Sequence, residues 1–352
     1  MNDWMIYGAN GYTGSLIARE AKRRGLTPIL AGRNREACET LGAQLGLQVR
    51  VFACASSEEI AGNLAGVSLV LHCAGPFSAT SRPMLEACLA TKTNYLDITG
   101  EISVFENIHS QDARIREAGI VAIPGAGFDV VPTDGVAAML KQKVPDAVKL
   151  ALGFAGFTSI SAGTAKTMIE GLGADGAIRR DGKIVSVPSA YKTRKIRFNK
   201  SERFAMTIPW GDVSTAFHST GIPNIEVYMA TSAGAARMAK ASGLLKPLLA
   251  SALAQSLLKK LAGKFISGPN EAERTTGRMS IWGEAVNAKG ETLELRLSTP
   301  ESYQLTVLTT LASVAKVLAG EVAPGAWTPS KAFGAEFVLS IDGVQLIEAI
   351  SV

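Results

Sequence analysis

The chain has 352 residues, 47% of them apolar and 19% charged. That is ample for a packed core in two domains, or in one large domain with an insertion, and no segment is biased enough to read as disordered. The net charge of +5 and pI ≈ 9.0 come from short basic clusters such as Lys22-Arg23-Arg24 and Lys192 to Arg197. These lack aromatic interleaving and any nucleic-acid motif, so they suit an anionic cofactor or substrate, and no nucleic-acid partner is expected. The N-terminus enters an apolar run without a basic leader, and no stretch reaches the ~18 uncharged apolar residues of a spanning helix. No signal peptide is expected, and the expected location is cytoplasmic. Cys38, Cys54, Cys73 and Cys88 lack C-x-x-C pairing and nearby histidines. They read as buried thiols of a reducing compartment, with no metal site expected.

In chain order, Trp4-Met5-Ile6-Tyr7 reads as a short buried strand and Ser15 to Ala21 as a helix closing at Gly25. Between them lies Gly8-Ala9-Asn10-Gly11-Tyr12-Thr13-Gly14. Strand, glycine turn and helix form the first unit of a dinucleotide-binding domain, in which backbone N–H groups at the helix start meet a pyrophosphate. The spacing is G-x-x-G-x-x-G, and Gly8, Asn10, Gly11, Tyr12, Thr13 and Gly14 are the candidate phosphate-side residues. Pro28-Ile29-Leu30-Ala31-Gly32 reads as the second strand and ends at Arg33-Asn34-Arg35. An acidic residue here would accept hydrogen bonds from a ribose 2′-OH, whereas a guanidinium pairs with a 2′-phosphate. Arg33 therefore selects NADP(H) as the expected cofactor, and Arg35 reads as a solvated helix-start residue.

The β/α alternation continues. Gln48 to Phe52, Ser68 to Ala74, Asn94 to Ile98 and Gly119 to Pro124 read as strands, and Pro83 to Thr91 and Gln111 to Ala118 as helices. Such alternation predicts an α/β fold, a Rossmann-type doubly wound parallel sheet with ligands at the C-terminal strand ends. Gly75-Pro76-Phe77, Thr99-Gly100-Glu101 and Gly125-Ala126-Gly127-Phe128-Asp129 fall there. Ala74, Gly75, Pro76, Thr99 and Gly100 join the candidate cofactor residues. Tyr95, Asp97 and Asp129 sit over the expected nicotinamide as candidate proton-handling residues, with loop-capping as the structural alternative for the two aspartates.

After Asp134 the pattern changes. Val136 to Lys143 is helical, strand-like text begins at Lys149, and Ile184 to Phe198 is rich in β formers and base. We expect an NADP-binding domain over 1–144, an α+β domain with a mostly antiparallel sheet over 145–298, and a segment over 299–352 whose long apolar helix returns to the first domain. Leu244 to Phe265 is an apolar, lysine-bearing stretch interrupted by Pro247; core or dimer packing is expected there ahead of a membrane surface. Tyr191 and Lys195 have Y-x-x-x-K spacing, but strand-like surroundings would place them about 13 Å apart, so the match is chance. Ser161, Thr164, Asp212, Thr215 and His218 are candidates for the substrate side; His218 is the best single candidate there for a group titrating near neutrality, with a surface or structural histidine as the favoured alternative.

Several of these segments carry a family resemblance. Cys73-Ala74-Gly75-Pro76-Phe77, Tyr95 to Glu101 and Gly127 to Asp134 are similar to successive signatures of the saccharopine dehydrogenase-like oxidoreductases, a group that includes the trans-acting enoyl reductases. Ser161-Ala162-Gly163-Thr164, Gly211 to Ala216, Gly268-Pro269 with Arg274, and Pro324 to Pro329 extend it beyond the first domain. Val130 replaces the serine-type residue of the third signature, and the chain is shorter than the saccharopine reductases of lysine metabolism. Both departures argue against a lysine-pathway substrate. The resemblance implies a second domain that binds substrate and forms a homodimer. It also implies an NADPH-dependent reductase, acting on a C=C bond of an apolar acyl or lipid-like substrate. The alternatives are an imine (C=N) reductase acting on an amino-acid-like substrate and a catalytically silent NADP(H) sensor or scaffold.

Overall fold

The computed structural model describes residues 3–156, 159–171, 175–199, 201–241, 251–266 and 268–351. The chain forms two compact units: Met1–Asp129 with Leu305–Phe333, and Val130–Gln304 with Gly334–Val352.

In the first unit, β1 (Trp4–Tyr7), β2 (Ile29–Gly32), β3 (Val49–Val51), β4 (Leu69–His72), β5 (Asn94–Asp97), β6 (Val121–Ile123) and β15 (Gly325–Ala326) form one parallel sheet ordered β15-β6-β5-β4-β1-β2-β3. This is the 3-2-1-4-5-6 order of a dinucleotide-binding fold with one strand added, and it reverses between β1 and β4. Successive residues of each strand serve opposite faces. Met5, Tyr7, Val70, Tyr95 and Ala122 enter one core cluster, while Trp4, Ile6, Leu71, Leu96 and Ile123 enter the other. Residues in register across strands thus bury both faces, as continuous apolar strands require. Helix α13 (Ser302–Leu318) returns to this unit through Val307, Leu311, Val314 and Val317.

The second unit holds a sheet ordered β10-β11-β12-β7-β13-β14-β16. Its strands are β7 (Ala147–Ala155), β10 (Thr193–Arg197), β11 (Glu202–Thr207), β12 (Asn224–Ala230), β13 (Arg278–Asn287), β14 (Thr292–Pro300) and β16 (Gln345–Ser351). Neighbours are antiparallel except β12 and β7, which are parallel. A hairpin of β8 (Gly176–Arg180) and β9 (Lys183–Val187) attaches at β12.

Three features differ from the sequence expectations. Helix α4 runs Phe77–Thr91 with Pro83 inside it, six residues earlier than the proline suggested. Helix α7 (Val131–Lys143) packs on the second sheet, where a Cβ on Gly283 would overlap Val136 and lie 2.9 Å from Leu140 Cδ1. The missing side chain lets helix and strand approach closely, so the division falls at Asp129 and not at 144. Within 299–352, only Leu305–Phe333 joins the first unit, because β16 pairs with β14 and closes an otherwise open edge. Residues 244–250, the front of the expected stretch from Leu244 to Phe265, lie outside the described residues.

Candidate active site

The glycine turn follows β1 at the point where the sheet order reverses. Gly8 has φ +84°, a left-handed conformation that favours glycine, and a Cβ there would lie 2.9 Å from Ala74 N. Gly8 and Ala74 thus form the floor of the switch point. A Cβ on Gly14 would overlap the Gly8 carbonyl oxygen, so Gly14 is the position where helix packs on turn. Helix α1 (Tyr12–Arg23) begins at Gly11 with no side-chain cap and no acid in its first turn. Its first N–H groups and dipole thus suit an anion at their open end, which is the fit a pyrophosphate needs. Asn10 is held at the end of β2: its Oδ1 accepts from Cys38 Sγ at 3.5 Å and would lie 2.7 Å from a Cβ on Gly32. Arg33 follows directly and is exposed, while Arg35 pairs with Glu39 at 3.0 Å as a solvated helix residue. Asn34 caps α2 (Arg35–Leu45) by accepting from Ala37 N at 3.1 Å.

The second wall is the loop Ala74-Gly75-Pro76, whose Gly75–Pro76 peptide is cis. Helix α4 has no cap from its own Pro76, and the carboxylate of Glu101 serves instead. Phe77 N and Ser78 N donate to its two oxygens, each at 2.8 Å. This contact ties the loop after β5 to the loop after β4 and fills the α4 N-terminus, whereas α1 has no side-chain cap. Behind the loop, Thr80 Oγ1 donates within reach of Ala74 O at 2.8 Å and Pro76 O at 3.1 Å, and accepts from His72 Nε2 at 2.9 Å. His72 is buried in β4, and burial pushes its pKa down to about 3, so it is a neutral strut. Sequence reasoning passed over His72, Thr80 and Gly32. A histidine inside an apolar strand was the available signal.

The third wall gathers three expected residues. Tyr95 and Asp97 are fully buried, and Tyr95 Oη donates to Asp97 Oδ2 at 2.6 Å. The other oxygen of Asp97 accepts from Thr99 N at 3.0 Å and Gly125 N at 2.8 Å. Burial raises the Asp97 carboxyl to about 6, the three donors opposing that shift, and burial likewise pushes the Tyr95 phenol upward. Asp97 thus clamps the ends of β5 and β6 together. Asp129 lies against Gly100, where a Cβ would be 2.8 Å from its Oδ2, and desolvation raises its carboxyl to about 7. Its loop is fixed by α13: Thr306 Oγ1 accepts from Phe128 N at 3.0 Å, and Thr309 Oγ1 donates to Ala126 O at 2.9 Å. These two threonines come from a helix almost 180 residues away in sequence, with no local signal.

The remaining candidates stand in the second unit. Ser161 N donates to Tyr303 Oη at 2.6 Å, and Thr164 Oγ1 lies 2.9 Å from the same hydroxyl. Asp212, at the start of α9 (Asp212–Thr220), accepts from Thr133 Oγ1 at 2.9 Å and from Thr215 Oγ1 at 3.4 Å. His218 is half-buried in the last turn of α9 beside the Phe217 ring. Tyr191 precedes β10, on which Lys195 pairs with Glu202 at 3.2 Å, so the pair shares no helical face.

Residues 4–123 match the family model for the saccharopine dehydrogenase NADP binding domain. That match lies within the first unit. The NADP-binding domain thus carries the cradle at Gly8 to Gly14 and the strand-end loops. A saccharopine dehydrogenase-like oxidoreductase of Rattus norvegicus is 28% identical over 205 residues, covering 50% of this chain and 47% of that protein. A trans-acting enoyl reductase of Mycobacterium leprae is 33% identical over 142 residues, 38% of this chain and 34% of that one. The chain aligns with about half the length of the first of these relatives, and less of the second. The saccharopine dehydrogenase (L-Glu forming) of Saccharomyces cerevisiae covers 100% of both chains with a TM-score of 0.67 at 11% identity. The NADP-binding domain therefore sits in a fold shared along the full chain.

Proposed function

We propose that the chain is an NADPH-dependent oxidoreductase that reduces a C=C bond of an acyl or lipid-like substrate. The observation that carries the reading is Asp129: a carboxyl raised to about 7 at a C-terminal strand end, in the same unit as an uncapped glycine-rich helix start. Bound NADPH supplies the hydride. The chain's own residues do the rest. The α1 N–H groups hold the pyrophosphate, Arg33 meets the 2′-phosphate, and the loops at Ala74–Pro76 and Thr99–Gly100 orient the nicotinamide. Asp129, protonated in part at neutrality, gives its proton to the carbon that receives no hydride. Asp97 and Tyr95 hold the loop that carries Asp129, as positioning residues. Similarity to an enoyl reductase supports the C=C reading and an apolar substrate. The test is an NADPH-consumption screen across enoyl, imine and carbonyl compounds, with turnover expected for α,β-unsaturated acyl compounds and none for saccharopine. Activity confined to imines rejects the C=C reading, and tight NADPH binding without any turnover rejects an enzyme.

A further inference from the structure

The glycine turn is stitched to the end of β2: Gly8 N and Ala9 N both donate to Ala31 O, at 2.8 and 3.0 Å. Asn10 follows in that turn and is exposed, yet its side-chain oxygen is taken. Oδ1 accepts from Cys38 Sγ at 3.5 Å and sits where a Cβ on Gly32 would be 2.7 Å away. Cys38 is fully buried in α2, and burial raises its thiol, so the sulfur stays protonated and donates. The amide is planar, so an oxygen turned in toward Cys38 and Gly32 leaves the Nδ2 amino group turned away from them. Among the described residues nothing accepts from that amino group. Arg33 follows Gly32 at the same strand end. Burial pushes the Tyr7 phenol of β1 upward and the Arg33 guanidinium opposes that push, so the cation stays near the strand ends.

We propose that Asn10 is a second specificity-determining residue for NADP(H), its amino group donating to the 2′-phosphate beside Arg33. Cys38 is the positioning residue that turns the amide outward. A 2′-phosphate ionised at neutrality presents acceptor oxygens and is served by donors alone. A ribose 2′-OH also needs an acceptor for its hydrogen, the role of the usual acid after the second strand. Here Arg33 stands in that place, and the Asn10 acceptor is spent on the thiol. The pyrophosphate has its own donors in the first N–H groups of α1, which begins after Asn10. Gly32 lets the amide lie on the strand end, since a Cβ there would press on Oδ1 and on the Cys38 sulfur, the latter at 3.0 Å.

Resting on the NADPH assignment above, this role is tested by calorimetric titration of the full chain with NADPH and with NADH, each beside a thermal melt. Asn10→Ala removes the donor and should weaken NADPH about tenfold while NADH stays within about twofold. Asn10→Asp keeps the shape and the acceptor for Cys38 but sets a carboxylate against the 2′-phosphate. It should cost NADPH more than Asn10→Ala does and again spare NADH. Cys38→Ala should weaken NADPH alone, by about threefold to tenfold, and Cys38→Ser, which keeps a donor, should restore the parent value. Equal losses for both nucleotides in the Asn10 variants would put the side chain on the pyrophosphate, and no loss for either would leave it a tie between turn and strand. Both outcomes overturn the proposal, and unchanged NADPH binding in Cys38→Ala overturns the positioning role. A parent chain that binds the two nucleotides equally defeats the NADPH assignment itself. A parent that prefers NADPH, with Asn10 variants that keep the preference, defeats this inference alone.

Discussion

Tyr95 donates its phenolic hydrogen to Asp97 at 2.6 Å with both side chains fully buried, and the carboxylate spends its other oxygen on two backbone amides. The phenol is the side-chain donor that opposes the upward push of burial on Asp97. Tyr95→Phe removes it and should lift the Asp97 carboxyl above its present value of about 6. The variant should lose about 1–3 kcal/mol of stability, the cost of leaving a buried acceptor short of a partner. Carboxyl titration by NMR and a denaturant melt check both effects.

Nucleotide choice rests on Arg33. NADPH should bind more tightly than NADH by ~1.5–3 kcal/mol, the range for hydrogen bonds to a charged group. Arg33→Ala should erase most of that gap, while Arg35→Ala should leave it, because Arg35 is engaged with Glu39. Calorimetry showing equal native affinities for the two nucleotides would defeat the assignment.

The two later glycines of the turn should fail differently. A Cβ on Gly11 meets only Gly8 O, at 3.2 Å, whereas one on Gly14 overlaps that atom. Gly11→Ala should therefore fold with weakened NADPH binding, and Gly14→Ala should lower stability by about 1–3 kcal/mol, as overpacking does. Thermal melts beside NADPH titrations separate the two outcomes.

Much of the NADP-binding domain was legible because its information is local. An apolar strand, a glycine turn and a helix follow one another within some twenty residues, and Arg33 follows directly on the next strand. The supports of the site were not, because they arrive from elsewhere. The start of α4 at Phe77 depends on the Glu101 carboxylate, and the pose of Asp129 on Thr306 and Thr309. Helix α7 looked like the tail of the first domain because its sequence continues that β/α rhythm. Its placement on the second sheet depends on Gly283, well over a hundred residues onward.

His72 makes stability pH-dependent. Its folded pKa of about 3 lies below the ordinary 6.5, so its contribution is full above 6.5 and is lost as pH falls toward 3. At pH ~4 the loss amounts to roughly 3 kcal/mol. Asp97 and Asp129 act oppositely, their raised values favouring the folded state at low pH, but they are common to any His72 variant. His72→Gln can still donate to Thr80 and cannot titrate. Its unfolding free energy should fall less than the parent's between neutrality and pH ~4, and parallel denaturant curves would contradict the neutral-strut reading.

Asp129 should set the alkaline limb of turnover. With its carboxyl raised to about 7, the proton-bearing form dominates below neutrality and disappears above it. For a C=C substrate kcat should therefore decline as pH rises through 7, tenfold per unit well beyond it. Asp129→Asn keeps the shape of the side chain but holds no transferable proton. It should lower kcat about a hundredfold or more, flatten the alkaline limb and leave NADPH affinity unchanged. A variant that loses NADPH binding in step with turnover would mark Asp129 as a structural support of the cofactor loop. One that retains the parent's pH profile would move proton donation to another group.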